Sequence, residues 1–336
     1  MDRSVLIIQP GFLGDAVLAT GLLRALQEID GVGKVGLLVR SSYVSLFNDH
    51  PGVGRVHGLE KGNRESWKRV LEEVGACGYD LALIPHRSVR SQLLPYRAGI
   101  PERIGFRQSA FSFLCTTQVE YRISDHELER NHALLRASQF QVADQVPRTW
   151  LHPDPDLVGK FRTQFSGEIP LIVIAPGSVW PTKCWPEEYF ADLCRHLLTA
   201  GNRLLLVGSE GERELCRRIG EKGGLPSGNV LAGDLSLPEL AALLSLAERV
   251  VTNDSAPLHI AEGVGRPVSS IFGPTVPEFG FAPYLSASTI SQIELACRPC
   301  GIHGHRTCPI GTHECMRSIE VEDLLATITI AEKNVE

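Results

Sequence analysis

The chain has 336 residues, enough for two domains of ordinary size whose cores need no disulfide or metal to hold them. Its 33 Lys and Arg against 39 Asp and Glu give a net charge of −6, and 43% of its residues are hydrophobic. This composition excludes disordered, collagenous and coiled-coil proteins, and a mildly acidic chain is not built to coat duplex nucleic acid.

Membrane-spanning and secretory signals are not found in the sequence. No apolar stretch reaches the roughly 18 residues of a transmembrane helix. The first apolar run, from Val5 to Ile8, is too short for the core of a signal peptide. We therefore expect a cytoplasmic protein, whose nine cysteines are free thiols or ligands of a local metal rather than a disulfide framework.

The first part of the chain alternates between short apolar strands and amphipathic helices. The predicted elements are strands at Val5–Gln9, Lys34–Val39 and Leu81–Pro85, and helices at Asp15–Ile29, Ser41–Phe47 and Ser66–Cys77. Such alternation predicts βαβ units and a parallel sheet.

Three prolines, Pro147, Pro153 and Pro155, predict a linker, after which the alternation resumes. The elements predicted there are strands at Leu171–Ala175, Arg203–Val207, Val230–Leu231, Arg249–Thr252 and Val268–Phe272, and helices at Pro186–Thr199, Gly211–Lys222, Leu237–Ala247, Ser255–Val264 and Glu320–Glu332. We predict an α/β protein with a first domain over 1–155, a second over 156–318 and a C-terminal helix over 319–336. Two parallel sheets would place a ligand in the cleft between the domains, at the carboxyl ends of their strands.

The turn after the first predicted strand reads Gly11-Phe12-Leu13-Gly14-Asp15. Glycines let a backbone approach a ligand, and a helix N-terminus attracts anions. The turn is not a dinucleotide-binding G-x-G-x-x-G, because Leu13 stands where the second glycine belongs. Asp15 is then either a helix cap or a carboxylate placed to act as a general base.

Two turns of the second domain carry polar groups suited to a nucleotide sugar. The segment Pro176–Lys183 offers backbone N–H groups, hydroxyls and one cation, a set that suits a diphosphate, although Lys183 alone could be a solvated lysine. The segment Asn253–His259 places an acid, a hydroxyl and an imidazole at a helix N-terminus. A Ser–His–Asp hydrolase is not favoured, because the chain has no G-x-S-x-G string.

Four cysteines lie close together near the C-terminus, at Cys297, Cys300, Cys308 and Cys315. They could hold zinc, remain packed or redox-labile thiols, or form a pair of local disulfides. Only one C-x2-C pair is present, so the spacing leaves the three alternatives open.

Basic residues crowd the first domain, including Arg87 and Arg90 just after the strand Leu81–Pro85. They could be ordinary solvated surface. Their place after a buried strand puts them near the expected cleft, where they could meet an acceptor that carries phosphates or carboxylates.

Together these strings resemble glycosyltransferase family 9, the ADP-heptose:lipopolysaccharide heptosyltransferases, and most of all the heptosyltransferase II type. The resemblance covers about residues 4–330 and rests on the order and spacing of Gly14-Asp15, Ala175-Pro176-Gly177-Ser178, Lys183-Cys184-Trp185-Pro186, Gly208-Ser209, Gly233-Asp234-Leu235-Ser236-Leu237, Asn253-Asp254-Ser255-Ala256-Pro257-Leu258-His259 and Phe272-Gly273-Pro274-Thr275. It implies a GT-B architecture of two Rossmann-like domains, with the donor bound mainly by the second.

The resemblance also implies roles for single residues. Asp15 falls on the family's catalytic aspartate and Lys183 on its donor-phosphate lysine. The implied substrate contacts are Gly14, the hydroxyl position Ser178, the backbone of Val179, Glu212 at the ribose, the backbone of Leu235 at the adenine, and Asp254, Ser255, Ala256 and His259 at the diphosphate. Ala256 departs from the glycine often found at its position, which tightens the space for a ligand.

The implied reaction is an inverting transfer of L-glycero-D-manno-heptose from ADP-heptose to the lipopolysaccharide inner core, of Kdo-lipid A type. It needs no cofactor and no divalent metal, and a lipidic acceptor implies peripheral contact with the inner membrane. Two alternatives stay open: a GT-B glycosyltransferase with another nucleotide sugar or glycan acceptor, and a non-catalytic binding or zinc-scaffold protein.

Overall fold

The computed structural model describes residues 2–165, 167 and 169–333. The chain divides into two compact units, Met1–His152 and Pro153–Glu336. Each unit is an α/β structure built on its own parallel sheet.

The first unit, described from residue 2 onward, contains a six-stranded sheet and six α-helices. Its strands are β1 (Arg3–Ile8), β2 (Val32–Arg40), β3 (Arg55–Leu59), β4 (Leu81–Ile84), β5 (Glu102–Phe106) and β6 (Thr117–Val119). Its helices are α1 (Leu13–Leu18), α2 (Thr20–Gln27), α3 (Val44–Phe47), α4 (Arg64–Cys77), α5 (Val89–Arg97) and α6 (Glu127–Arg136). All neighbouring strands are parallel, in the order β3-β2-β1-β4-β5-β6.

The centre of this sheet is the pair β1 and β4, whose apolar runs are fully buried. Val5 of β1 is paired with Leu81 of β4, and Ile7 with Leu83. The chain leaves β1 toward β2 and β3, then returns to the other side of β1 as β4. The order of the strands reverses between β1 and β4, and in open α/β sheets ligands bind at such a switch point, beyond the carboxyl ends of the strands.

The second unit contains a five-stranded sheet and seven α-helices among its described residues. Its strands are β7 (Leu171–Ala175), β8 (Arg203–Leu206), β9 (Arg249–Asn253), β10 (Val268–Ile271) and β11 (Thr289–Ser291). Its helices are α7 (Pro155–Gln164), α8 (Glu187–Thr199), α9 (Arg213–Gly223), α10 (Leu237–Leu244), α11 (Ala256–Gly263), α12 (Glu314–Arg317) and α13 (Val321–Lys333). The strands are parallel in the order β11-β10-β9-β7-β8, so the switch point lies between β7 and β9.

Side chains from distant parts of the second unit share one apolar core. Trp185, just before α8, is buried there and donates its indole N–H to the carbonyl oxygen of Ile319 at 2.9 Å. Leu324 and Ile328 of α13 join the same core. The C-terminal helix is thus part of the second unit.

Two expected elements differ in the structure. The helix predicted over Asp15–Ile29 is interrupted at Ala19, because the Thr20 hydroxyl donates to the carbonyl of Val17 at 2.5 Å and competes with the helical hydrogen bonds. The strand predicted at Val230–Leu231 is a single bridge between Val230 and Leu206. None of the described helices combines the length and the apolar character that crossing a bilayer requires.

Candidate active site

In the first unit, the loop after β1 holds Asp15 at the switch point. The backbone N–H of Phe12 donates to Oδ2 of Asp15 at 3.2 Å, and Gly14 is buried in the same turn. A Cβ placed on Gly11 would lie 2.7 Å from Oε1 of Gln9, 3.0 Å from Oδ2 of Asp15 and 3.3 Å from Cδ2 of His86. A side chain at position 11 would therefore press on these three side chains, and the glycine avoids that contact.

His86, the second residue after β4, brings an imidazole to the same place. Its Nδ1 lies 2.8 Å from Oγ of Ser91 in α5. Burial, helped by the positive charges of Arg40, Lys61 and Arg87, lowers the pKa of His86 to about 4. A neutral imidazole therefore lies beside the Asp15 carboxylate at neutral pH. The sequence analysis did not place His86 beside Asp15, although its position directly after the predicted strand Leu81–Pro85 could have indicated that it lies near the site.

Aromatic and charged side chains from α6, from the segment after β6 and from the segment after β4 lie near this group. The guanidinium of Arg87 lies 4.0 Å from the ring centre of Tyr121, and that of the buried Arg130 lies 4.4 Å from it. Arg130 also forms an ion pair with Glu127 at 2.7 Å. Burial raises the pKa of Glu127 to about 7, and the charge of Asp15 acts in the same direction.

The two predicted arginines therefore have different settings. Arg87 is tied to the surroundings of Asp15 through Tyr121, since both Arg87 and Asp15 act electrostatically on the Tyr121 phenol. Arg90 is exposed near the start of α5. The structure does not bring Arg90 into the Asp15 group through any contact among the described residues.

In the second unit, three neighbouring strands deliver the residues of a buried polar group. Lys183 follows β7, Asp254 follows β9 and Thr275 follows β10. The ammonium of Lys183 donates to Oδ2 of Asp254 at 2.5 Å, and the Thr275 hydroxyl donates to the same oxygen at 2.6 Å. Lys183 and Asp254 are both buried, so removal of either would leave an uncompensated charge in the interior.

The turn that carries Lys183 is held by the segment 297–315, hereafter the Cys-rich segment. The Thr182 hydroxyl donates to the His305 carbonyl at 2.8 Å and accepts the His305 N–H at 2.7 Å, while the Thr182 carbonyl lies 2.8 Å from Nε2 of His313. A Cβ on Gly304 would lie 3.2 Å from Cγ of Lys183. The hydroxyl of Thr182, which the loop composition assigned to a diphosphate, is thus bound to the protein itself.

Glu212 joins the loops that follow β7 and β8. Its Oε2 accepts hydrogen bonds from the backbone N–H and the hydroxyl of Ser209, at 2.7 and 2.8 Å. Its Oε1 lies against Gly177, where a Cβ would come within 1.9 Å. Leu235 lies just after Gly233, whose N–H donates to the carbonyl of Gly208 at 2.9 Å. The predicted ribose and adenine positions thus lie on loops that are tied to the end of β8.

The other predicted donor contacts lie in the loops after β7 and β9. Ser178 accepts the N–H of Trp180 at 3.3 Å, and Val179 projects into solvent. Ser255 is the N-cap residue of α11, Ala256 begins the helix, and His259 is buried one turn later. The β7–β9 switch point thus brings these residues close to the Lys183–Asp254 pair.

All nine cysteines are free thiols in the structure, so neither local disulfide is formed. Backbone N–H groups, that of His313 first among them, lower the pKa of Cys308, while burial raises the pKa of Cys315 to about 11. Within residues 2–165, 167 and 169–333, no three Cys, His, Asp or Glu side chains are grouped in a way that could hold a metal ion. The structure therefore lends the zinc alternative no support.

Comparisons with known proteins agree with this arrangement. Lipopolysaccharide heptosyltransferase 2 of Escherichia coli K12 is 29% identical to this chain over 299 residues, 82% of this chain and 84% of that protein. The solved structure of E. coli ADP-heptose heptosyltransferase II aligns with 99% of both chains at a TM-score of 0.81 and 22% identity. A solved E. coli heptosyltransferase with ADP aligns with 98% of both chains at a TM-score of 0.73 and 20% identity.

These likenesses confirm the predicted α/β fold class and its GT-B architecture. The model of glycosyltransferase family 9 (heptosyltransferase) matches residues 67–310, well over half of the sequence. The family predicted from the sequence motifs is thereby confirmed, and the chain belongs to glycosyltransferase family 9.

Proposed function

We propose that this chain is an inverting heptosyltransferase that moves L-glycero-D-manno-heptose from ADP-heptose to the lipopolysaccharide inner core. The observation that carries the proposal is the placement of a carboxylate, Asp15, at the switch point of the first unit and a buried ammonium, Lys183, at that of the second. The curated relatives named as heptosyltransferases support the choice of sugar.

We assign donor binding to residues 156–318. Lys183 and the N-terminus of α11 would stabilise the negative charge that grows on the departing diphosphate. Since a carboxylate repels phosphate, Asp254 acts by holding Lys183 in place. The remaining donor contacts are Ser178, the backbone of Val179, Ser255, Ala256 and His259 at the diphosphate, Glu212 at the ribose and the backbone of Leu235 at the adenine. The solved relative with ADP supports an adenine nucleotide.

We further propose that the reaction uses neither a metal nor a cofactor. The leaving diphosphate needs positive charge in a site shielded from water. Lys183, held by Asp254, supplies an ammonium group, and the first turn of α11 supplies the partial charge of a helix N-terminus. Together they provide the stabilisation for which other transferases use a divalent cation.

We assign acceptor binding to residues 1–155. Asp15 would take the proton of an acceptor hydroxyl, whose oxygen attacks the anomeric carbon of the heptose. ADP leaves from the opposite face, so the configuration inverts. Arg87 and Arg90 would meet the phosphates or carboxylates of a Kdo-lipid A type acceptor. Because that acceptor is lipid-anchored, the protein would work as a peripheral enzyme on the cytoplasmic face of the inner membrane.

The first test is binding of ADP, UDP, GDP and NAD, read as a rise in the temperature of unfolding. Stabilisation by ADP alone is the expected result. Stabilisation by UDP or GDP instead would redirect the assignment to another nucleotide sugar.

The second test is transfer by the Asp15→Asn variant, which keeps the shape of the side chain but cannot take a proton. We expect a loss of about 10²- to 10⁴-fold in turnover with ADP affinity unchanged. Asp156→Asn is the matched control, because Asp156 is exposed in the first turn of α7. Normal turnover by Asp15→Asn would refute the proposed mechanism.

A further inference from the structure

Helix α5 exposes apolar side chains along one face. Val89, Leu93 and Tyr96 follow one another at spacings of four and three residues, which place them in line on a helix. The Tyr96 side chain is 52% exposed, Val89 is also exposed, and Leu93 is only partly buried. This face lies on the first unit, only three residues along the chain from His86.

The loop between β5 and β6 extends this apolar face. Its Phe111 and Phe113 are 47% and 71% exposed, with ring centres 5.3 Å apart. Phe111 has a φ of +64°, a left-handed conformation that is unfavourable for a bulky side chain. The exposed ring of Phe111 is therefore held by an unfavourable backbone conformation, and the exposed ring of Phe113 lies beside it. We call Val89, Leu93, Tyr96, Phe111 and Phe113 the aromatic patch.

The loop and the helix are joined into one surface. The short 3₁₀ turn at Ser112–Leu114 packs against α5. Arg103 donates from Nε to the carbonyl of Leu114 at 2.8 Å, and its guanidinium lies 5.6 Å from the ring centre of Tyr96. The Ala110 N–H donates to the carbonyl of Arg87 at 3.2 Å, which ties the loop to the segment next to the Asp15 group.

The aromatic patch lies within a basic stretch of an acidic protein. Residues 87–116 contain a single acidic residue, Glu102, which is already paired with Arg3. They also contain five arginines, namely Arg87, Arg90, Arg97, Arg103 and Arg107. In the part of the chain that the structure describes, none of these five forms an ion pair with a carboxylate. Arg90, Arg97 and Arg107 are exposed, so their charge is available to an external anion, although the whole chain carries −6.

We propose that the aromatic patch and its arginines are the surface that docks the first unit on an anionic lipid bilayer. Aromatic rings enter the headgroup region of a bilayer, and arginines contact lipid phosphates. A second copy of the chain fits less well, because two such patches would bring like charges face to face. The inference rests on the proposed function: an enzyme docked here holds Asp15 close to the layer that anchors its acceptor.

The test is co-sedimentation with vesicles of phosphatidylethanolamine and phosphatidylglycerol, and with neutral phosphatidylcholine vesicles. The unmodified protein should bind the anionic vesicles. Its affinity for them should fall as added salt shortens the Debye length from about 10 Å to about 3 Å. Phe111→Ser/Phe113→Ser and Arg97→Gln/Arg107→Gln should each weaken binding about tenfold or more. Ile169→Ser is the matched control, since Ile169 is 48% exposed in the second unit.

Three results would overturn the docking surface: no binding of the unmodified protein to anionic vesicles, equal binding by the variants, or a dimer in solution that the variants convert to monomer. Transfer assays separate this inference from the proposed function. Both variants should lose transfer to an acceptor embedded in vesicles and keep transfer to a deacylated, water-soluble acceptor. Vesicle binding by a protein that transfers no heptose to either acceptor would reject the proposed function and leave the docking surface standing.

Discussion

The carboxylate of Asp15 and the imidazole of His86 both lie against the position that a Cβ on Gly11 would occupy, at 3.0 and 3.3 Å. A methyl group there would touch both side chains and the amide of Gln9. Two strands that are neighbours in the sheet but distant in sequence thus bring their residues together around one glycine.

Gly11→Ala should therefore displace Asp15 without unfolding the unit. We expect turnover to fall about tenfold or more, because small displacements of a catalytic group are costly, while ADP affinity is unchanged. Steady-state transfer and ADP titration measure the two effects. Gly159→Ala is the control, since a Cβ at Gly159 meets no atom within 4 Å. Full turnover by Gly11→Ala would show that Asp15 does not need its present position.

The neutral His86 should make stability sensitive to acid. Its pKa is about 4 in the folded protein, whereas a histidine in the unfolded chain titrates near 6.5. The unfolded state therefore binds more protons between these values, and stability is lost as the pH falls through this window. A shift of this size corresponds to about 3 kcal/mol.

The measurement is urea unfolding of the unmodified protein and of His86→Gln at several pH values. Gln cannot titrate but keeps a polar group near Ser91. The unmodified protein should lose stability more steeply than the variant between about pH 6.5 and 4. Other histidines whose pKa is lowered by burial, such as His50 and His57, are common to both proteins and cancel. Parallel curves would contradict the lowered pKa.

Removal of one partner from the buried pair of Lys183 and Asp254 should cost more stability than removal of one partner from an exposed pair. Asp254→Asn leaves the lysine charge buried beside a neutral amide, which should lower the free energy of unfolding by about 3 kcal/mol or more. Lys183→Met/Asp254→Asn should cost less than the sum of the single changes, because the two groups are coupled. Lys160→Met, at the exposed pair with Glu239, should cost less than about 1 kcal/mol. Additive effects at the buried pair would rule out the coupling.

Thr182 should control how well Lys183 is placed. Thr182→Val keeps the shape but removes both hydrogen bonds with the His305 backbone. We expect ADP affinity to fall about tenfold, consistent with the loss of one to two net hydrogen bonds. Thr182→Ser should restore the affinity, which a purely apolar packing role would not predict. Thr199→Val, which removes an exposed hydroxyl on α8, should leave ADP binding unchanged.

The sequence predicted strands with buried apolar runs better than short, partly exposed strands. The apolar runs of β1, β4 and β7 are buried on both faces, so they are visible without any knowledge of their neighbours. The edge strands β3 and β6 are short and partly exposed, so they carry no such signal. Helix α5 escaped prediction because it contains Pro95, a residue that normally ends a helix.

The residues of the site also divide into those that the local sequence indicates and those that it does not. Asp15 and Lys183 stand in turns that directly follow strands, so local sequence pointed to them. The setting of Thr182 depends on His305 and His313, which are far along the chain, and no local pattern reveals it. The ion pair of Glu127 and Arg130 is visible as helical spacing, but its closeness to Asp15 arises only from the packing of α6 on the sheet.

The hold of the Cys-rich segment on Thr182 has a consequence for synthesis on the ribosome. Thr182 emerges 123 residues before His305, whereas every strand of the first sheet has been made once Val119 is in place. At about 5–20 residues per second, the Lys183 turn waits on the order of ten seconds for the residues that hold it. The proposed donor site is therefore completed only after His305 has been synthesised.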